Sequence, residues 1–208
     1  MASLGELKLK NQAKLRAWGL DVNEGLPLIE DLNEVTPRSA SEVAARSCAL
    51  GYLVGVGFGA KPEQLREDLE RFELWTYVSA REQQILTVGP TAQDKIDCTW
   101  LTEAIQALAF CLGLAELLPD QNRDDNLADQ FPLGENPSEF IDNASLRPLV
   151  EIQEQVDLHY RLHWYVRQCQ LQATPPKLVD PGVVQERRRA LDWAYGVEAD
   201  WDEVPGDT

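Results

Sequence analysis

The residues best placed to do chemistry lie between Asp157 and Arg167, where ionisable side chains recur at helical spacing among apolar neighbours. Asp157 and Arg161 stand four apart and can pair on one helix face, while His159, His163 and Arg167 form a second line at the same interval. Two imidazoles one turn apart is the spacing of zinc-binding helices, and His159 and His163 are the only histidines of the chain. The Glu that follows the first His of a metalloprotease helix is absent, so these two are weak metal candidates and no metal or other cofactor is expected. Acid–base work is the other chemistry within reach. His163 would move the proton, Arg161 or Arg187 would hold an anion, and Asp157, Trp164 and Glu186 would line the pocket. A plainer reading competes with both. Charge among apolar neighbours is costly unless paired, so the same residues are expected to form a structural ion-pair network, walled in by the surrounding helices.

Other motifs carry less. Gly55-Val-Gly57-Phe-Gly59-Ala60 has the spacing of a dinucleotide fingerprint, but the run before it begins as a capped helix and no further strands follow. It reads as a glycine-rich break between two helices. Asp200 and Asp202 resemble the opening of a calcium loop, yet Val204 occupies a ligand position and Gly206 comes one place late. No Gly-x-Ser-x-Gly elbow is present, and no Cys adjoins a His.

The element that must carry the cluster is a long helix predicted over 146–171, with Pro148 in its first turn. Its first half is amphipathic: Leu149, Ile152 and Val156 share a face, and Glu151, Glu154 and Gln155 lie opposite. Past Val156 it turns apolar all round, which predicts burial and a place at the centre of the fold. Around it the chain predicts further helices: Leu4 to Trp18, one opened by the capping box Ser39–Glu42, a short one opened by Ser79–Glu82, and Ala92 to Leu112. Ile96, Trp100, Ala104, Leu108 and Cys111 fall on one stripe of the last of these. Residues 119–137 are polar, acidic and aperiodic, and are expected to form a mobile loop. Val183 to Tyr195 is the final helix, closed by Gly196. Three arginines, Arg187 to Arg189, sit near its start, where the helix dipole disfavours cations, so they require acidic partners. The tail is expected to fold back, with Trp201 in an apolar groove. Asp200, Asp202, Glu203 or Asp207 would then meet arginines of the two C-terminal helices. The fold class is all-α: one domain over 1–208, a helical bundle around the long helix. Its candidate polar cluster comprises Asp157, Arg161, His163, Trp164, Arg167, Glu186, Arg187, Trp201 and Asp202.

Composition narrows the setting. A chain of 208 residues can build a full core without disulfide or metal. Its 4 cysteines lie in apolar stretches with no Cys-x-x-Cys pair, as in a reduced, cytoplasmic protein. No signal-peptide core opens the chain, and the longest apolar run, 104–118, is too short to span a bilayer, so no membrane partner is expected. A net charge of -16 repels phosphate backbones, which argues against nucleic acid and suits a basic protein partner.

The C-terminal third, LRPLVEIQEQVDLHYRLHWYVRQC, then VVQERRRALDWAYG, then DWDEVPGDT, resembles the bacterial family known as domain of unknown function 4272. Ser79 with Glu82, Trp100, Glu103, Ala104 and the Leu112-Gly113 pair fit the same pattern, which extends from Arg38 onward. The family pattern has His and Asn where this chain has Arg188 and Asp192. The resemblance supports the fold and the shared polar positions, and it carries no activity. The sequence is thus read first as an acidic cytosolic protein-binding or regulatory module, of the kind that neutralises a basic partner. The alternative is an enzyme whose buried Asp/Arg/His/Trp pocket acts on a small anionic substrate.

Overall fold

A computed structural model of the chain describes residues 3–120 and 125–205. The helices are α1 Leu4–Ala17, α2 Ala40–Gly57, α3 Pro62–Arg71, α4 Ala80–Val88, α5 Ala92–Cys111, α6 Ser138–Asp142, α7 Leu149–Leu171 and α8 Pro181–Tyr195. No strand occurs among the described residues, so the fold is all-α. Local chemistry sets the starts. Ser3, Ser39, Ser79 and Thr91 each cap a helix while the acid three residues on bonds back to the cap N–H. Asp180 caps α8, and Pro181 fills its first position.

The helices pack in a chain of neighbours: α2 on α5, α5 on α8, α8 on α7, α7 on α1. The middle therefore belongs to α5 and α8. The long helix α7 lies to one side, between α8 and α1, which corrects the expectation that it is the hub. Small residues explain the difference. Ala104, Ala107, Ala109 and Cys111 on α5, with Ala44, Ala45 and Ala49 on α2, are fully buried and let two helices approach α5 closely. Gly57 belongs to that crossing: a Cβ there would lie 2.9 Å from the Lys95 carbonyl oxygen. The glycine-rich stretch thus extends α2 and seats it on α5, and only Gly59, at φ +86°, ends it.

Two other expectations change at α5 and α7. Leu108 and Cys111 are buried, but Ile96 and Trp100 at the other end of the stripe are 53% and 37% exposed. Pro148 is the N-cap of α7 rather than part of its first turn. The residues before it are tied down instead of helical: the Arg147 N–H donates to the Cys111 carbonyl at 2.8 Å, and its guanidinium to those of Phe110 and Ala115.

The main core joins α2, α5, α8 and the first half of α7, and a second cluster lies between α1 and the second half of α7. Within 119–137, residues 121–124 lie outside the described residues, while Leu127 and Phe131 are buried in the main core. Behind α8, Gly196 takes φ +90°, and a Cβ there would meet the Thr36 carbonyl oxygen at 2.1 Å. No helix among the described residues is long and apolar enough to cross a membrane.

Candidate functional site

Buried ion pairs brace the bundle at its helix contacts. Asp157 and Arg161, one turn apart on α7, are both 1% exposed. Arg161 Nε donates to Asp157 Oδ2 at 2.9 Å, and Asn11 of α1 donates to the same oxygen at 2.9 Å. This side-chain bond from α1 answers the desolvation of the carboxylate, whose other partner lies on its own helix. Among the described residues, Arg161 Nη1 and Asn11 Oδ1 find no hydrogen-bond partner and are buried. Arg187 of α8 reaches Glu103 of α5, Nε to Oε2 at 2.9 Å, and donates to the Leu118 carbonyl at 2.8 Å.

Arg188 and Asp192 are the third pair, Nε to Oδ2 at 3.2 Å along α8. These two residues, one turn apart on α8, are each other's partner. Arg188 Nη1 also lies 2.8 Å from His163 Nδ1. A guanidinium can only donate, so this nitrogen accepts. Burial raises the Asp192 carboxyl to about 7, against the pull of Arg188. Burial lowers His159 to about 3, assisted by the charge of Arg187, and its Nδ1 donates to the Gln155 carbonyl at 2.9 Å. The two imidazoles therefore face different arginines. Among the described residues no three His, Cys, Asp or Glu side chains are grouped to hold a metal.

The fourth pair, like the Glu103 and Asp192 partners of the second and third, was not foreseen. Arg46 of α2 holds Glu82 of α4 through two bonds of 2.7 Å and donates to the Tyr77 carbonyl at 2.6 Å. Glu82 was read only as the acid of a capping box, which it also is. The usable signal was a lone Arg inside the apolar run from Val43 to Leu50. Glu103, alone in the apolar run of α5, gave the same signal.

Trp201 does fold back and is buried. It sits 4.1 Å from the Arg46 guanidinium and 4.9 Å from that of Arg189, with Trp193 edge-on at 5.5 Å. The arginines meet its ring rather than the tail carboxylates. Asp202 instead accepts the backbone N–H of Arg81 at 3.0 Å, at the start of α4. The physical reason is reach: Arg187 and Arg188 are already bound inward, and Arg189 pairs with Glu186 at 2.8 Å. Asp207 lies outside the described residues. Arg167 is also a correction. It is exposed and donates to Gln170 at 3.2 Å, because the apolar cover of α7 does not reach that side. Trp164 is half-buried against the second core cluster.

Glu186 and Asp202 come together with α4 and α5 in a cleft of about 380 Å³. Its carboxylates are Glu82, Asp94, Asp97, Glu186 and Asp202, its guanidiniums Arg81 and Arg189, and Trp100, Trp201, Ile85 and Leu101 add apolar wall. Burial raises the Glu186 carboxyl. Arg189 opposes that shift, and Asp97 and Glu82 add to it. The sequence cluster is thus divided: Asp157, Arg161, His163 and Arg187 are interior braces, while Glu186, Trp201 and Asp202 line an open cleft.

Fold and site together define an acidic all-helical protein braced by buried arginine–carboxylate pairs. The chain belongs to the family described as Domain of unknown function (DUF4272), which it matches over residues 7–204. No curated protein and no solved structure matches it.

Proposed function

We propose that this protein is an acidic binding module that takes a basic protein partner and thereby regulates or neutralises it. One observation carries the reading. In formal charge each of the four buried arginine–carboxylate pairs sums to zero, so the formal net charge of -16 is carried by the other residues of the chain. A surface field of that size speeds encounter with a cationic protein and repels nucleic acid. The setting that suits it is the cytoplasm, where the four free cysteines, all buried, would stay reduced. The test is affinity capture from the native host at low ionic strength. A stoichiometric basic protein released by salt is the expected result; capture of acidic proteins only, or of none, overturns the reading.

One observation favours a second reading, an enzyme acting on a small anion. Tyr160, Arg188 and Asp192 line a separate cleft of about 280 Å³, and a carboxyl held near 7 suits acid–base work. His163→Ala separates the two. A folded variant that loses a host phenotype without losing its partner would favour the enzyme.

A further inference from the structure

The apolar stripe of α5 runs past the edge of the core. Ala104, Leu108 and Cys111 are sealed by the neighbouring helices, whereas Ile96 and Trp100, on the same face, stand 53% and 37% exposed. The first turns of α5 therefore present an amphipathic face that, among the described residues, only the first turn of α8 touches, at Trp100. Trp100 is at the same time a wall of the cleft between α4, α5, α8 and the tail. Its ring rests on the first turn of α8, where a Cβ at Gly182 would lie 2.9 Å from it. The indole is thus held in place before anything binds, so little ordering entropy would be lost on association.

Charge decides what fits this face. Setting aside Glu82, which Arg46 neutralises, the cleft sets four carboxylates against the guanidiniums of Arg81 and Arg189. Asp97, half-exposed, sits one residue from Ile96 on the outer side of α5, and its nearest cation, Arg81, is 3.6 Å away and itself exposed. An acidic ligand would be repelled. So would a second copy of this chain, which carries the same net charge of -16.

We propose that the exposed start of α5, with the adjoining cleft, is the docking surface for a basic amphipathic segment of a partner protein. Its apolar side would lie on Ile96 and Trp100, and its lysine or arginine side chains would enter the cleft beside Asp97 and Glu186. Aromatic anchors ringed by complementary charge dominate binding at interfaces of this kind. The inference rests on the proposed function and locates it.

The test titrates the full-length protein with a synthetic helical peptide of leucine and lysine, leucines on one face, against oligolysine of equal charge. Asp97→Asn, Trp100→Ala and Ile96→Ser are compared with the wild type. All three positions are partly or well exposed, and circular dichroism checks each fold. The amphipathic peptide is expected to bind more tightly than oligolysine, and each substitution to weaken it about tenfold. If the peptide binds but none of the three substitutions weakens it, this surface is the wrong one, and the reading of a basic partner stands. Equal binding of oligolysine overturns the amphipathic character of the ligand. If neither probe binds at low salt, the proposed function falls with it.

Discussion

The indole of Trp201 lies 4.1 Å from the guanidinium of Arg46, which both oxygens of Glu82 hold. The C-terminal turn is thereby bound to α2 and α4, far from it in sequence. The contact is apolar and cationic at once: Trp193 packs edge-on and Arg189 adds a second guanidinium.

Trp201→Ala is therefore expected to destabilise the fold by about 3–5 kcal/mol, the range for removing a large buried aromatic. Urea unfolding measures it. A loss under about 1 kcal/mol would mean that the tail is not part of the folded body.

Breaking the Arg46–Glu82 pair from one side leaves a buried charge. Arg46→Met is expected to cost about 3–5 kcal/mol. Adding Glu82→Gln removes that charge and keeps an acceptor for the Ser79 N–H, so the double variant should recover much of the loss. A double variant no more stable than the single one would contradict the pairing.

Arg188 and Asp192 should behave as a unit. Arg188→His and Asp192→Asn, each alone, strand one partner. Together they remove both charges of the pair. A double-mutant cycle on thermal unfolding is expected to give a coupling of about 1–3 kcal/mol. Additive single effects would show that the 3.2 Å contact contributes nothing.

The same carboxyl gives a pH signature. Its folded value is raised to about 7 from an ordinary 3.8. Between those values the folded state keeps a proton that the unfolded chain has lost. The stability it contributes is thus complete at acid pH and declines as pH rises towards 7. Asp192→Asn removes that decline. Its unfolding free energy should improve relative to wild type from about pH 4 to pH 7. A difference independent of pH would show that Arg188 keeps the carboxylate ionised.

Gly196→Ala combines a left-handed backbone with a collision. The conformation alone costs about 1–3 kcal/mol for a residue with a Cβ. The methyl would also lie 2.1 Å from the Thr36 carbonyl oxygen, so the 36–37 strand of chain must move. A midpoint of urea unfolding within error of wild type would refute the packing of that loop on α8.

The sequence by itself determined what depends on neighbours within a turn or two. The capping boxes at Ser39 and Ser79, the helical fold class, the Asp157–Arg161 pair and the Gly196 stop are all local, so spacing and residue type were enough. Burial of Asp157, His159, Arg161 and His163 also followed from their apolar surroundings. Which helix lies in the middle was a tertiary matter. It turned on small residues of α2 and α5 allowing close approach, and hydrophobicity along α7 could not reveal that. So were the partners of Arg46 and Arg187, 36 and 84 residues distant, and the exposure of Ile96 and Trp100. A side chain's type states that it needs a partner or a cover; only the packing of distant helices supplies one, or leaves it open for another molecule.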